Sequence, residues 1–143
     1  MDERIGIWNL LHDGEITAIS QQGNTVTMFV SIPYLRRRLN PMGDSFVLSL
    51  NDVSQLEFRE FDGSAVTLKE QLDIGRPEIL GTDSRDLPVA VDTTMGQMIV
   101  GFSSLALALD TGQPTDFQTI DHVARTYWTE WEANAVKPRE PQA

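Results

Sequence analysis

The part of this sequence that most constrains its fold is the stretch 119–135, T-I-D-H-V-A-R-T-Y-W-T-E-W-E-A-N-A. Its apolar residues recur at the spacing of one face of an α-helix, while polar residues occupy the other face. The apolar residues are Ile120, Val123, Ala124, Tyr127, Trp128 and Trp131. Large aromatic side chains stabilise a fold most when they are removed from water, so this row of apolar side chains needs an apolar surface to pack against. The pattern predicts a long amphipathic helix packed on the rest of the chain.

Most of the preceding chain has the patterns of short β-strands. In residues 25–32 apolar and polar side chains alternate, as a half-buried strand requires. Residues 15–20 form the preceding strand, and Gly23 and Asn24 between the two tolerate positive φ. These features predict a hairpin.

Further strands are predicted downstream. In residues 45–50 and 56–59, large apolar side chains recur at every second position. The two segments lie on either side of the turn residues Asn51-Asp52, which predicts a second hairpin. The run 98–109 is apolar on both faces. It predicts a central strand, or two strands broken near Ser103-Ser104, covered on one side by the helix.

Other segments have weaker patterns. Residues 5–12 and 67–74 are each compatible with a short helix or a strand, whereas Pro33 predicts a short helix over residues 34–39. Residues 78–82 and 87–92 are candidate short strands.

Together the patterns predict one α+β domain over residues 1–136. It is mostly antiparallel β, with about seven or eight strands and a long C-terminal amphipathic helix. We expect a curled sheet or half-open barrel packed on that helix, with a two-layer sandwich as the alternative. Residues 137–143 are polar and Pro-rich and predict a flexible tail.

Composition limits the classes of function. The 143 residues contain no cysteine, which excludes disulfides, thiolate metal sites and cysteine nucleophiles. The beginning of the sequence lacks a signal-peptide pattern and no long apolar run follows, so we expect a cytoplasmic protein and no membrane partner. A net charge of −10 opposes nucleic-acid binding and favours either solubility or a basic protein partner. The pattern does not decide whether the chain forms a homo-oligomer.

No catalytic motif stands out. Asp110-Thr111-Gly112 resembles the signature of aspartic proteases, but it continues as Gln113-Pro114, and a strand-to-helix turn explains it without catalysis. The two histidines, His12 and His122, belong to no metal-binding pattern. We therefore predict no catalytic residue, no metal and no cofactor, and the sequence favours a non-enzymatic protein.

Candidate binding residues lie at two turns. The turn at His12 and Asp13 and the short helix after Pro33 present polar and aromatic side chains on a rigid scaffold. Arginines of that helix either clamp an oxyanion or, the favoured interpretation, form a solvated face paired with carboxylates. The candidates are His12, Asp13, Tyr34, Arg36, Arg37 and Arg38.

Three short segments carry a resemblance to a known group of proteins. Leu11-His12-Asp13-Gly14, Ile32-Pro33-Tyr34-Leu35-Arg36 and Leu56-Glu57-Phe58-Arg59 resemble small bacterial single-domain proteins, some of them grouped with immunity proteins of contact-dependent or polymorphic toxin systems. The resemblance implies a compact acidic domain that binds a partner, without catalytic residues. It singles out His12, Asp13, Tyr34 and Arg36.

Two functional hypotheses follow. The first is a non-enzymatic acidic protein-binding module, with an immunity-like inhibitor of a basic toxin as its most specific form. The alternative is a small-molecule-binding or hydrolytic domain, with a pocket near His12, Tyr34 and Arg36 at the mouth of the curled sheet.

Overall fold

A computed structural model of the chain describes residues 2–136. Within them the chain forms four helices and ten strands. The helices are α1 (Glu3–Leu10), α2 (Pro33–Arg36), α3 (Leu68–Ile74) and α4 (Phe117–Val136). The strands are β1 (Glu15–Gln22), β2 (Thr25–Ser31), β3 (Ser45–Asn51), β4 (Gln55–Arg59), β5 (Ala65–Val66), β6 (Ile79–Gly81), β7 (Val89–Thr93), β8 (Gly96–Gly101), β9 (Ser104–Leu109) and β10 (Pro114–Thr115). The predicted flexible tail lies outside the described residues.

The strands form two antiparallel sheets of five strands each, in the orders β1-β2-β3-β9-β10 and β5-β4-β8-β7-β6. The paired strands β3 and β9 of the first sheet continue into the paired strands β4 and β8 of the second. A single antiparallel bridge, Glu15 opposite Glu78, joins the outer edges at β1 and β6. The sheets thus curl toward each other without closing. The predicted α+β class with a half-open, mostly antiparallel sheet is confirmed, with ten strands rather than seven or eight.

One strand pairing was predicted wrongly. The hairpin at Gly23 is confirmed, but β3 and β4 do not pair with each other, since β3 lies between β2 and β9 and β4 between β5 and β8. Asp52, at φ 52°, turns the chain from one sheet into the other. Alternation shows which side of a strand is buried and says nothing about its neighbour. The run 98–109 is two strands, one in each sheet.

The core lies between the sheets and is covered by α1, the segment that was left open between helix and strand. Asp2 caps this helix by accepting a hydrogen bond from the Arg4 N–H. Ile7, Trp8 and Leu11 are completely buried, and the Trp8 indole N–H donates to the Arg4 carbonyl at 2.9 Å. Trp8 is therefore completely buried, as are the aromatic side chains of Phe46 and Phe58.

The C-terminal helix α4 packs on this core only along its first half. Its cap is Asp116, whose carboxylate accepts a hydrogen bond from the Thr119 N–H at 2.8 Å. Ile120 and Ala124 are buried, whereas Trp131 is 55% exposed. The amphipathic helix is confirmed, but the end of its aromatic stripe faces water. None of the helices in residues 2–136 has the combination of length and apolar character needed to cross a membrane.

Candidate functional site

Five aromatic side chains from three parts of the chain form a continuous cluster, which we call the aromatic surface: His12, Tyr34, Tyr127, Trp128 and Trp131. Trp128 is its centre, since its ring stacks on His12 at 5.4 Å and meets Trp131 edge-on at 5.8 Å. Tyr34 packs against Tyr127 at 4.6 Å between ring centres. The periodicity of α4 places Tyr127 and Trp128 on the side facing α1 and α2. The structure thus brings together two of the predicted binding residues, His12 and Tyr34.

Asp13 joins the aromatic surface through Tyr34. The turn holds Asp13 at φ 72°, a left-handed conformation that Asp tolerates better than most residues. In this position its carboxylate accepts a hydrogen bond from the Tyr34 hydroxyl at 3.1 Å. Partial burial and the Asp13 carboxylate raise the pKa of Tyr34 above its ordinary value, with a smaller contribution from Glu78. The Tyr34 hydroxyl therefore stays a proton donor at neutral pH.

Two further carboxylates, Glu15 and Glu78, face each other across the bridge between the sheets. The flanking hydrogen bonds, from Ile16 N–H to Pro77 and from Ile79 N–H to Gly14, make this a non-hydrogen-bonded pair, the type with the closest side chains. Like charges in such a position repel. Neither glutamate takes part in an ion pair within residues 2–136. We call Asp13, Glu15 and Glu78 the acidic rim.

The three arginines of the predicted basic cluster have different surroundings. Arg38 lies on the aromatic surface, with its guanidinium 5.0 Å from the centre of the Tyr127 ring and 2.7 Å from Glu130. Arg37 is exposed and donates to the Gly43 carbonyl at 3.3 Å. For these two, the favoured prediction of a solvated arginine face fits the structure.

Arg36 corrects that prediction, because it is completely buried. Its guanidinium donates to Asp110 at 2.6 Å and to the carbonyls of Ser45, Asn40 and Met42 at 2.7–3.0 Å. A buried arginine needs this many acceptors, since charge without partners is costly inside a protein. Arg36 is therefore not presented to a ligand, and it fixes α2 to the ends of β3 and β9.

Asp110 has a structural role in the same network. Burial raises the pKa of its carboxyl, but the N–H of Asp44, the Arg36 guanidinium and the N–H of Ser45 outweigh burial, so the pKa lies below its ordinary value. Both carboxylate oxygens are occupied by these donors. The Asp-Thr-Gly sequence is thus a turn in which the aspartate is the counter-ion of a buried arginine.

A groove of about 500 Å³ runs between α1 and α4 beside the aromatic surface. Its walls are mainly apolar, with Leu10, Phe117 and Ala124 inside and His12 and Trp128 at one end. The size falls within the range of small-molecule sites. The sequence placed a pocket near His12, Tyr34 and Arg36, and of these only His12 lines the groove.

Within residues 2–136 no group of three His, Asp or Glu side chains is placed to hold a metal ion. His122 is exposed on α4. Sequence reasoning missed Glu15 and Glu78, because the bridge that brings them together links positions far apart in the chain. It had classed Asp110 as part of a turn.

Comparison with models of known protein families, with curated proteins and with solved structures finds no match to this chain.

Proposed function

We propose that this chain is a non-enzymatic acidic protein-binding module that engages a basic protein through the acidic rim and the adjoining aromatic surface. The observation that carries the proposal is the pair Glu15 and Glu78, two like charges held opposite each other with no cation of residues 2–136 between them. Such an arrangement reduces stability of the free protein. A cation from a partner would relieve it.

The aromatic surface next to the acidic rim supports this proposal. Trp131 is 55% exposed, and Tyr34, Tyr127 and Trp128 are half-buried. Tryptophan and tyrosine dominate the energetic centres of protein interfaces. Lysine and arginine side chains of a partner can meet both the ring faces and the carboxylates of the acidic rim. The net charge of −10 would speed the encounter with a basic protein.

The most specific form of the proposal is an immunity-like inhibitor of a basic toxin in the bacterial cytoplasm. It rests on the resemblance of the segments around His12, Tyr34 and Phe58 to small bacterial single-domain proteins, some of which are grouped with immunity proteins of toxin systems. In this form the acidic rim would cover a positively charged region of the toxin, and the module itself would carry out no reaction.

The test is affinity capture from an extract of the native host with two matched charge variants. Glu15→Gln/Glu78→Gln removes two charges from the acidic rim, and Asp83→Asn/Asp86→Asn removes two exposed charges from the loop after β6, which is not part of the rim. Each leaves a net charge of −8, since −10 + 2 = −8. We expect wild type and the loop variant to retain one basic protein in a salt-sensitive manner and the acidic-rim variant to lose it. Equal retention by both variants would contradict the proposal.

The groove between α1 and α4 favours a second candidate function, the binding of a small apolar molecule. Its volume of about 500 Å³ and its apolar walls suit a ligand of that kind. A thermal-shift screen of apolar metabolites would test it, with Phe117→Ala as the groove variant. A compound that stabilises wild type but not this variant supports small-molecule binding, and the absence of any such compound counts against it.

A further inference from the structure

A second surface with exposed apolar residues lies on α3 and the loop after β4. Phe61 is 80% exposed and Ile74 is 73% exposed, and the two line one groove of about 470 Å³ together with Gln71 and Met95. We call this the Phe61 surface. Large apolar side chains that stay exposed together often mark a binding site.

Gln71 lines this groove, and its side-chain carbonyl oxygen lacks a hydrogen-bond donor among the described residues. The helix α3 begins at the Thr67 cap and turns Leu68 and Gln71 inward, so that Gln71 is only 2% exposed. Its side-chain carbonyl oxygen accepts no hydrogen bond from the described residues. Its amide nitrogen donates to the Met95 sulfur at 3.6 Å and to no other described residue, and sulfur is a weak acceptor. Rotating the Gln71 side-chain amide toward the groove therefore breaks only this weak contact with Met95.

The rim of this groove is negatively charged. Glu60 and Asp62 line it, and neither forms an ion pair with any residue that the structure describes. Arg59, which borders an adjacent groove on the other side of Phe61, already pairs with Glu57 at 3.3 Å. The Phe61 surface thus combines an unpaired acceptor, exposed apolar carbon and two carboxylates without an ion-pair partner among the described residues, although Asp62 accepts a hydrogen bond from the Ser64 N–H at 2.8 Å.

The Phe61 surface adjoins the acidic rim. Thr94, which also lines the groove, is joined to Glu78 by two hydrogen bonds of 3.0 Å, one in each direction. A partner seated on the acidic rim can therefore reach the Phe61 surface without leaving the protein.

We infer that the Phe61 surface accepts an arginine side chain of the same basic partner. The guanidinium group carries five N–H donors in a planar fork, enough in number for the Gln71 carbonyl and for the carboxylates of Glu60 and Asp62, which line the same groove. Its flat face can lie on the Phe61 ring, and its methylene stem can cover Ile74. Lysine offers a single ammonium and fits this combination less well. This inference rests on the proposed function, because it assigns a second contact to the same partner.

The test is a nuclear magnetic resonance titration of the full chain with an acetylated hexa-arginine peptide, with hexa-lysine as the equal-charge probe. We expect hexa-arginine to shift the Gln71 side-chain amide and the backbone signals of Phe61 and Ile74 more strongly than hexa-lysine does. Gln71→Leu and Phe61→Ser should each weaken the binding by about tenfold, the loss of one charge-assisted contact. Phe29→Ser, which changes a partly exposed Phe on β2, is the matched control.

The alternative outcomes separate the two proposals. Shifts confined to the acidic rim and the aromatic surface would overturn the arginine site and leave the proposed function standing. Equal shifts with both peptides, or shifts at the Phe61 surface that persist unchanged in Phe61→Ser, would show diffuse attraction to negative charge and also overturn the arginine site. An absence of shifts anywhere on the protein would count against both.

Discussion

The aromatic surface and the Phe61 surface differ in how far their groups are satisfied within the chain. On the aromatic surface Tyr34 donates to Asp13, Arg38 pairs with Glu130 and the rings pack on one another. On the Phe61 surface, Phe61 is largely exposed and the Gln71 carbonyl has no donor among the described residues. The comparison indicates that the aromatic surface is part of the stable fold and carries its unmet charge at the acidic rim. The Phe61 surface, with Phe61 80% and Ile74 73% exposed, should add little to stability, and we propose it as a contact for a partner.

We expect the largest loss of stability from a substitution in the buried ion pair of Arg36 and Asp110, which holds α2 in place. Arg36→Ala leaves Asp110 without its counter-ion and detaches α2, which carries Tyr34. We expect a loss of about 3–5 kcal/mol in the free energy of unfolding. Urea denaturation measures it, with the exposed neighbour Arg37→Ala as control at within about 0.5 kcal/mol. Similar midpoints for the two variants would show that the buried pair does not support the aromatic surface.

The same ion pair gives the fold an acid sensitivity. The pKa of Asp110 is lower in the folded protein than in the unfolded chain, so the unfolded chain takes up the proton first as the pH falls. Stability from this group is present above the unfolded pKa, about 3.9, and is lost as the pH falls through the lower folded pKa. We expect the stability difference between wild type and Asp110→Asn to narrow below about pH 4. A constant difference from pH 7 to pH 3 would contradict this account.

The next largest change in stability should distinguish the aromatic surface from the Phe61 surface. Trp128→Ala removes the centre of the aromatic surface, and because Trp128 is half-buried we expect a loss of about 1–3 kcal/mol, less than for a fully buried ring. Phe61→Ser and Ile74→Ser should change the unfolding free energy by less than about 0.5 kcal/mol each. Thermal or urea unfolding of the three variants measures the contrast. Equal losses of unfolding free energy at both surfaces would show that the two surfaces contribute equally to stability.

The smallest predicted change is a gain in stability rather than a loss. Glu78→Gln relieves the repulsion with Glu15, so we expect this variant to be more stable than wild type by about 0.2–1 kcal/mol. Asp83→Asn, in an exposed loop, should change stability negligibly. Added salt should shrink the gain from Glu78→Gln, because it screens the repulsion in wild type. A destabilised Glu78→Gln would mean that the two carboxylates do not oppose each other.

The sequence predicted the parts of the fold that depend on local patterns. The hairpin at Gly23, the α+β class and the amphipathic C-terminal helix all follow from periodicity and turn chemistry. The pairing of β3 with β9, rather than with β4, depends on contacts between distant residues that alternation does not encode. A helix face also does not show where the surface beneath it ends, which is why Trp131 lies in water.

The candidate site was predictable to a similar extent. His12, Asp13 and Tyr34 were identified because they stand at turns and helix starts, and the structure places them together, with Asp13 contacting both His12 and Tyr34. Arg36 was misplaced because three consecutive arginines look alike in sequence, and only the partner Asp110 distinguishes the buried one. Glu15 and Glu78 become neighbours only when the two sheets meet.

The most direct test of the central claim, that the acidic rim meets a basic protein, is carbodiimide crosslinking of the complex captured from host extract. The reagent joins carboxylates only to lysines in contact with them, and mass spectrometry identifies the linked residues. The account predicts that crosslinks to the partner come from Asp13, Glu15 and Glu78. Crosslinks that come instead from Asp83 or Asp86, or a complex with no crosslink at the acidic rim, would contradict it.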